Sequence, residues 1–173
     1  MVCPMMRHGL ILAFVLGLTA LPAAAQAPEP GRATWFGLHF IDTSTEGQIN
    51  GIRADETARI AATEAFIAED LAARGFVLTA PPPEAVARIR NPVHSNGADA
   101  RIARKMGSDY VIAGEVQKVS NLIQSINLHL RDAETGRTLR AGSVEIRGNT
   151  DEAFRRGYGY LLRNVIFREE RKE

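Results

Sequence analysis

The chain has a single cysteine, Cys3, and it lies ahead of an apolar run that reads as part of an export signal. The mature protein is therefore expected to have no disulfide, no thiol nucleophile and no thiolate metal ligand; an oxidising compartment permits disulfides without demanding them. Cys3 is also misplaced for a lipid anchor, which needs the cysteine just after the apolar run. Net charge is lacking too. The 21 basic residues face 20 acidic ones, and loss of Arg7 with the signal leaves the two signs equal. With no basic patch and no interleaved aromatics, nucleic acid is not expected as a partner. Lysine is scarce, at Lys105, Lys118 and Lys172 alone. Apolar runs of spanning length are absent. "LILAFVLGLTAL" (10–21) is about a dozen residues, short of the roughly 20 that cross a bilayer. No H-E-x-x-H, G-x-S-x-G or GxxxxGK pattern occurs, so neither a metal nor a cofactor is expected.

What is present begins with the signal. Arg7, the apolar run and Ala23-Ala24-Ala25 follow the basic, apolar, small-residue order of a secretory leader, with cleavage expected after Ala25. Residues 1–25 are thus assigned to a signal peptide, 26–32 ("QAPEPGR") to a flexible lead-in, and 33–173 to a single α/β domain, long enough to bury a core without staples.

Periodicity gives the element order β-α-β-α-α-β-β-β-α. "ATWFGLHFI" (33–41) is a strand with Phe36, Leu38 and Phe40 on one face and Trp35, His39 and Ile41 on the other. Residues 42–53 form a polar loop. Residues 55–74 are a helix with an apolar face at Ile60, Ile67 and Leu71, closed by Gly75. "FVLT" (76–79) is a second strand, parallel to the first through the crossover. "PPPEAVARIR" (81–90) and 98–107 are short helices around the loop 91–97. Residues 109–120, 122–132 and 138–147 alternate with period two and should form an antiparallel meander through turns at Ser120-Asn121 and Glu134-Thr135-Gly136. A final helix, about 150–168, buries Phe154, Tyr158, Leu161, Leu162 and Val165. The fold class is α/β (α+β): one domain, a mixed sheet, a C-terminal meander and a closing helix.

"RGNTDEAFRRG" (147–157) crowds polar groups at a glycine-hinged corner. Asn149 with Glu152 is a capping box, and Thr150 is an equally good cap one step later. Asp151 and Glu152 oppose the positive helix end. The cluster reads as a helix start. His39 and Asp42, near the carboxyl end of the first strand, are the best catalytic pair, because such ends are where α/β sheets place ligands. The two turns put Val111, Ala113, Ile126, Leu128, Leu130, Val144 and Ile146 on one side of the meander. Lys118, Ser125, Asn127, His129, Ser143, Glu145 and Arg147 take the other, a candidate interaction face. Glu115 then falls on the apolar side, and an arginine or a helix end is expected beside it.

"FGLHFIDTSTEG" (36–47), "GSDYVIAGEVQKVSNLI" (107–123) and "SVEIRGNTDEAFRRGYGYLLRN" (143–164) together resemble a family of small secreted bacterial proteins of unknown function. The resemblance spans nearly all of 34–167, and the "QKVSN" and "RGNTDE" blocks are its most specific parts. Genes of that family often lie near those of quinoprotein (PQQ-dependent) alcohol dehydrogenases, which implies a partner in that system. Some relatives carry a cysteine pair in the loop that here reads "NPVHSNGADA", and tryptophan where this chain has Phe154. The element order is similar to the amino-terminal domain of TolB and to CsgG, which implies interaction and assembly. The resulting expectation is a periplasmic, non-enzymatic accessory protein acting on a partner protein. The alternatives are a hydrolase-type enzyme using His39 and Asp42, and a small-ligand carrier with a pocket near 91–97.

Overall fold

A computed structural model describes residues 27–169. The expected signal peptide, 1–25, and the expected cleavage after Ala25 fall outside the described residues. Among those described, no helix is long and apolar enough to cross a membrane.

The elements are β1 (Arg32–Asp42), α1 (Thr45–Asn50), α2 (Ala54–Ala73), β2 (Val77–Thr79), α3 (Pro83–Val86), α4 (Ala98–Lys105), β3 (Tyr110–Lys118), β4 (Ile123–Asp132), β5 (Thr138–Arg147) and α5 (Asp151–Leu161), with a π-helical turn at Leu162–Ile166. They form one domain around a five-stranded mixed sheet of order β2-β1-β3-β4-β5. β1 pairs in parallel with β2 and β3, and β3, β4 and β5 form the antiparallel meander. The α/β class, the parallel start and the meander are as the sequence predicts. Helix α1 is new; it lies where a polar loop is predicted and is capped by Ser44, whose Oγ accepts from Gly47 N at 3.0 Å.

One side of the sheet is closed by α2, α5 and the π turn. Leu38, Ile112, Val116, Ile126, Leu128 and Leu130 from the sheet pack there against Ile67, Leu71, Phe154, Tyr158, Leu161 and Ile166. Tyr158 is fully buried and donates from its hydroxyl to the Glu115 carbonyl at 3.0 Å. The π turn adds a residue to the last helical cycle, so Ile166 takes the buried position expected for Val165. The other side is closed over one half only. There α4 packs Ala100 and Ala103 on Val111, Ala133 and Phe36.

Phe36 is on that second side because β1 is bulged. Trp35 pairs with Ile112 but Leu38 pairs with Gly114, so one residue is extra. Gly37 supplies the turn with φ +76, a conformation that glycine adopts without steric cost. The bulge reverses parity, and Trp35, rather than Phe36, shares the main core with Leu38 and Phe40. The strand's predicted faces are corrected accordingly.

Candidate functional site

The bare half of the sheet carries most of the predicted interaction face. Asn127 sits opposite Ser143, Ser125 opposite Glu145, and Ile123 opposite Arg147, while His129 follows two residues from Asn127 on the same side. Ser143, Glu145 and Arg147 are exposed; Ser125, Asn127 and His129 are half-buried between neighbouring strands.

Lys118 does not belong to that face. It pairs with Gln124, and Glu115 pairs with Asn127. A tight turn at Ser120-Asn121 would have put Lys118 opposite Ile123. Instead the amides of Val119 and Ser120 both donate to the Ile123 carbonyl, at 3.1 Å each, and the register slips by one residue. Such a slip carries every side chain of the strand to the other face. Glu115 therefore lies on the polar side, beneath the 91–97 loop. Asn91 Nδ2 donates to its Oε2, Asn127 Nδ2 donates to Oε1 at 3.3 Å, and His94 Nε2 stands 3.5 Å from Oε2. Among the described residues its side-chain partners are thus two asparagines and a histidine, not the arginine or helix end expected.

Lys118 is instead the hub of a buried ionic network on the helix side. Its ammonium is 3.1 Å from Asp42 and 2.7 Å from Glu56, and all three side chains are almost fully enclosed. Asp42 Oδ1 also accepts from Ser44 N at 2.9 Å and Ser44 Oγ at 2.5 Å. Asn149 Nδ2 donates to Glu56 at 3.0 Å, and Arg59 donates to Asn149 Oδ1 at 2.8 Å and to Asp151 at 2.9 Å. Burial opposes the charge on Lys118, but its bonds to Glu56 and Asp42 outweigh that and hold its pKa above the ordinary lysine value. Burial likewise opposes ionisation of Asp42, and the Ser44 bonds and Lys118 hold its carboxyl below the usual carboxylate range. The network unites the "FIDTS", "QKVSN" and "RGNTDE" segments, which are far apart in sequence. It pins the carboxyl ends of β1 and β3 to the amino ends of α2 and α5. Asn149 is one of its links and not the helix cap; Thr150 caps α5, accepting from Ala153 N at 3.2 Å.

His39 and Asp42 do not meet. His39 is in register with Glu115 on the polar side, while Asp42 turns toward the helices with Lys118. His39, His94 and His129 thus all lie on the side of Glu115. His129 is half-buried, and burial first, then Arg131 and His94, push its pKa down. Its Nδ1 and the Asn127 Oδ1 are buried without a hydrogen-bond partner. Among the described residues, no three His, Cys, Asp or Glu side chains are arranged to hold a metal ion.

The sequence reading missed an apolar rim at the carboxyl end of β1 and β3. Asn121 Nδ2 donates to Glu46 at 3.1 Å, which fastens α1 to the β3–β4 hairpin. Ile49 on α1 and Leu122 on the hairpin are 76% and 73% exposed, with Ile52, Val119 and Ile123 also open. Large apolar side chains gathered at a surface mark contact sites. The signal was available in "QINGI" and "VSNLI", but polar neighbours masked both.

The fold is similar to that of PelC from Paraburkholderia phytofirmans, solved as a dodecamer, with a TM-score of 0.51 at 12% identity over 79% of this chain and 90% of that one. The LpoB C-terminal domain from Salmonella enterica is similar at a TM-score of 0.45 and 18% identity, over 70% of this chain and 84% of that one. TolB from Acinetobacter baumannii is similar at a TM-score of 0.38 and 11% identity, over 79% of this chain and 27% of that one. No curated protein matches the chain. Residues 31–166 match the family DUF3280, described as "Protein of unknown function (DUF2380)", and the chain belongs to that family.

Proposed function

We propose that this is a periplasmic accessory protein that works by binding another protein rather than by catalysis. The observation that carries the reading is the half-bare sheet. Among the described residues, β5 is an edge strand of ten residues, Thr138–Arg147, with β4 as its one strand neighbour. An open edge is a ready template for another chain. One side of that edge offers Ser143, Glu145 and Arg147. The other offers a groove of about 470 Å³ between β5 and α5, with Val144, Ile146 and Tyr160 among its lining residues. The apolar rim at Leu122 continues the surface. Peptides and partner sheets are bound in this way, with backbone pairing for affinity and side-chain pockets for specificity.

The periplasmic location rests on the amino-terminal leader pattern. The family resemblance nominates a quinoprotein dehydrogenase system as the partner, and the shared fold of PelC, itself a dodecamer, makes a second copy of this chain the competing occupant. The enzyme reading has no geometric support at His39 and Asp42, which the sheet separates.

The test is a pull-down of tagged mature protein from periplasm after in-cell cross-linking, read by mass spectrometry. One dominant partner, lost in Glu145→Lys/Arg147→Glu, is the expected result. Recovery of no partner under several growth conditions, or recovery unaffected by the charge reversal, contradicts it. Lys118 is unsuitable for this test because its replacement strikes the buried network.

A further inference from the structure

We propose that the groove between α3 and α4 binds one anionic amphiphile, a single aliphatic chain carrying a carboxylate or phosphate head. The groove has a volume of about 610 Å³, with Ala85, Arg88 and Ile89 on one wall and Arg101, Ile102 and Lys105 on the other. That volume is in the range of small-molecule sites, about 300–1,000 Å³. It lies away from the β5 edge, and nothing in the protein-binding reading uses it.

Helix α4 has two apolar stripes, and the fold uses one. Ala100 and Ala103 are buried on the sheet. Ile102 and Met106 face Ala85 and Ile89 across the groove and remain half-exposed. The floor is therefore aliphatic and unfilled. The rim is cationic. Arg88, Arg101 and Lys105 line it, and no carboxylate does. Among the described residues none of the three makes a side-chain hydrogen bond or ion pair. Six other arginines are ion-paired, Arg53 and Arg59 with Asp55, Arg74 with Asp70, Arg104 with Glu134, Arg131 with Asp99 and Arg156 with Glu152; what sets Arg88, Arg101 and Lys105 apart is that they line one groove with no carboxylate in its lining. Arg101 and Lys105 stand four apart on one helix face, where like charges destabilise a helix. An anionic head between them and Arg88 relieves that repulsion, and an aliphatic tail covers the floor. The groove is open along one side, and its small volume suits one monomeric amphiphile with its head at the rim.

The experiment is titration calorimetry of the mature protein with decanoate, decyl phosphate and neutral decyl maltoside, each below its micelle concentration. Polyglutamate and anionic phospholipid vesicles are run in parallel. Both anionic amphiphiles should bind with one site, at least tenfold tighter than the neutral one. Arg101→Glu/Lys105→Glu should weaken them at least tenfold, as should Ile102→Asn. A circular-dichroism melt checks that each variant is folded; Arg101 and Lys105 are exposed, so the charge-reversal variant tests the head contact even if Ile102→Asn fails to fold. Equal binding of decyl maltoside, no loss on charge reversal, no binding of either amphiphile, or binding of only vesicles or only polyglutamate each overturns the proposal.

Discussion

Glu115 and Lys118 stand three apart on β3, so they face opposite sides of the sheet and one charge must go under the helices. Lys118 goes, because Asp42 and Glu56 meet it there and share its ammonium. Removing one member of a buried pair costs about 3–5 kcal/mol, because its partners are left charged and unpaired. Lys118→Met, which leaves two buried carboxylates facing each other, should lose that much in urea unfolding at pH 7. The same group sets an alkaline limit. Its pKa is raised in the folded protein, so its contribution is complete below the ordinary lysine value, about 10.4, and is lost as pH rises through the folded value. His129 sets a milder acid slope. Burial, Arg131 and His94 lower its pKa, with Glu115 and Asp99 pulling the other way. A lowered value favours the neutral ring, so this contribution is present above 6.5 and is lost as pH falls through the folded value. Stability measured by urea titration should therefore decline as pH drops below 6.5, and His129→Gln should flatten that decline.

At the scale of elements, most of the fold was legible and the register was not. The period-two runs and the prolines and glycines between them placed the strands and helices. Face assignment then depended on single residues that sequence spacing cannot show. Gly37 inserts a bulge and reverses β1; the doubled amide contact at Ile123 shifts β3 by one residue. In "YVIAGEV" both parities are apolar or small, so hydrophobicity gave no vote against the wrong register. The face on β4 and β5 survived because alternation there is clean: Ile126, Leu128 and Leu130 against Ser125, Asn127 and His129. At the polar corner local spacing offers both Asn149 and Thr150 as the cap; Thr150 takes that place, while the partners of Asn149, Glu56 and Arg59, lie about ninety residues earlier. A related test of packing is Gly157→Ala. In an open helix alanine gains about 1 kcal/mol over glycine. Here a Cβ would meet Ile146 Cγ2 at 2.6 Å and Ile126 Cδ1 at 2.7 Å, and overpacking costs about 1–3 kcal/mol. The variant should be less stable by about 1 kcal/mol in thermal unfolding; a gain in stability would show that α5 packs more loosely on the sheet.

For the whole molecule, the decisive feature is asymmetry. Three helical segments seal one side of the sheet, and the Lys118 network locks its end. The opposite side is sealed over β1 and β3 by α4 and the 91–97 loop, and left open over β4 and β5 to a free edge. A sheet with one open quarter beside an edge strand offers a partner both a surface and unpaired backbone. His39 and Asp42 lie on opposite sides of that sheet and do not form a catalytic pair. The most direct measurement is site-specific photo-crosslinking in living cells, with the crosslinker placed at Ser143 on the open face or at Ala65 on the exposed side of α2. The account predicts a discrete protein adduct from Ser143, absent from Ala65 and abolished by Glu145→Lys/Arg147→Glu. Adducts from Ala65 alone, or the same adducts from both positions, would contradict it.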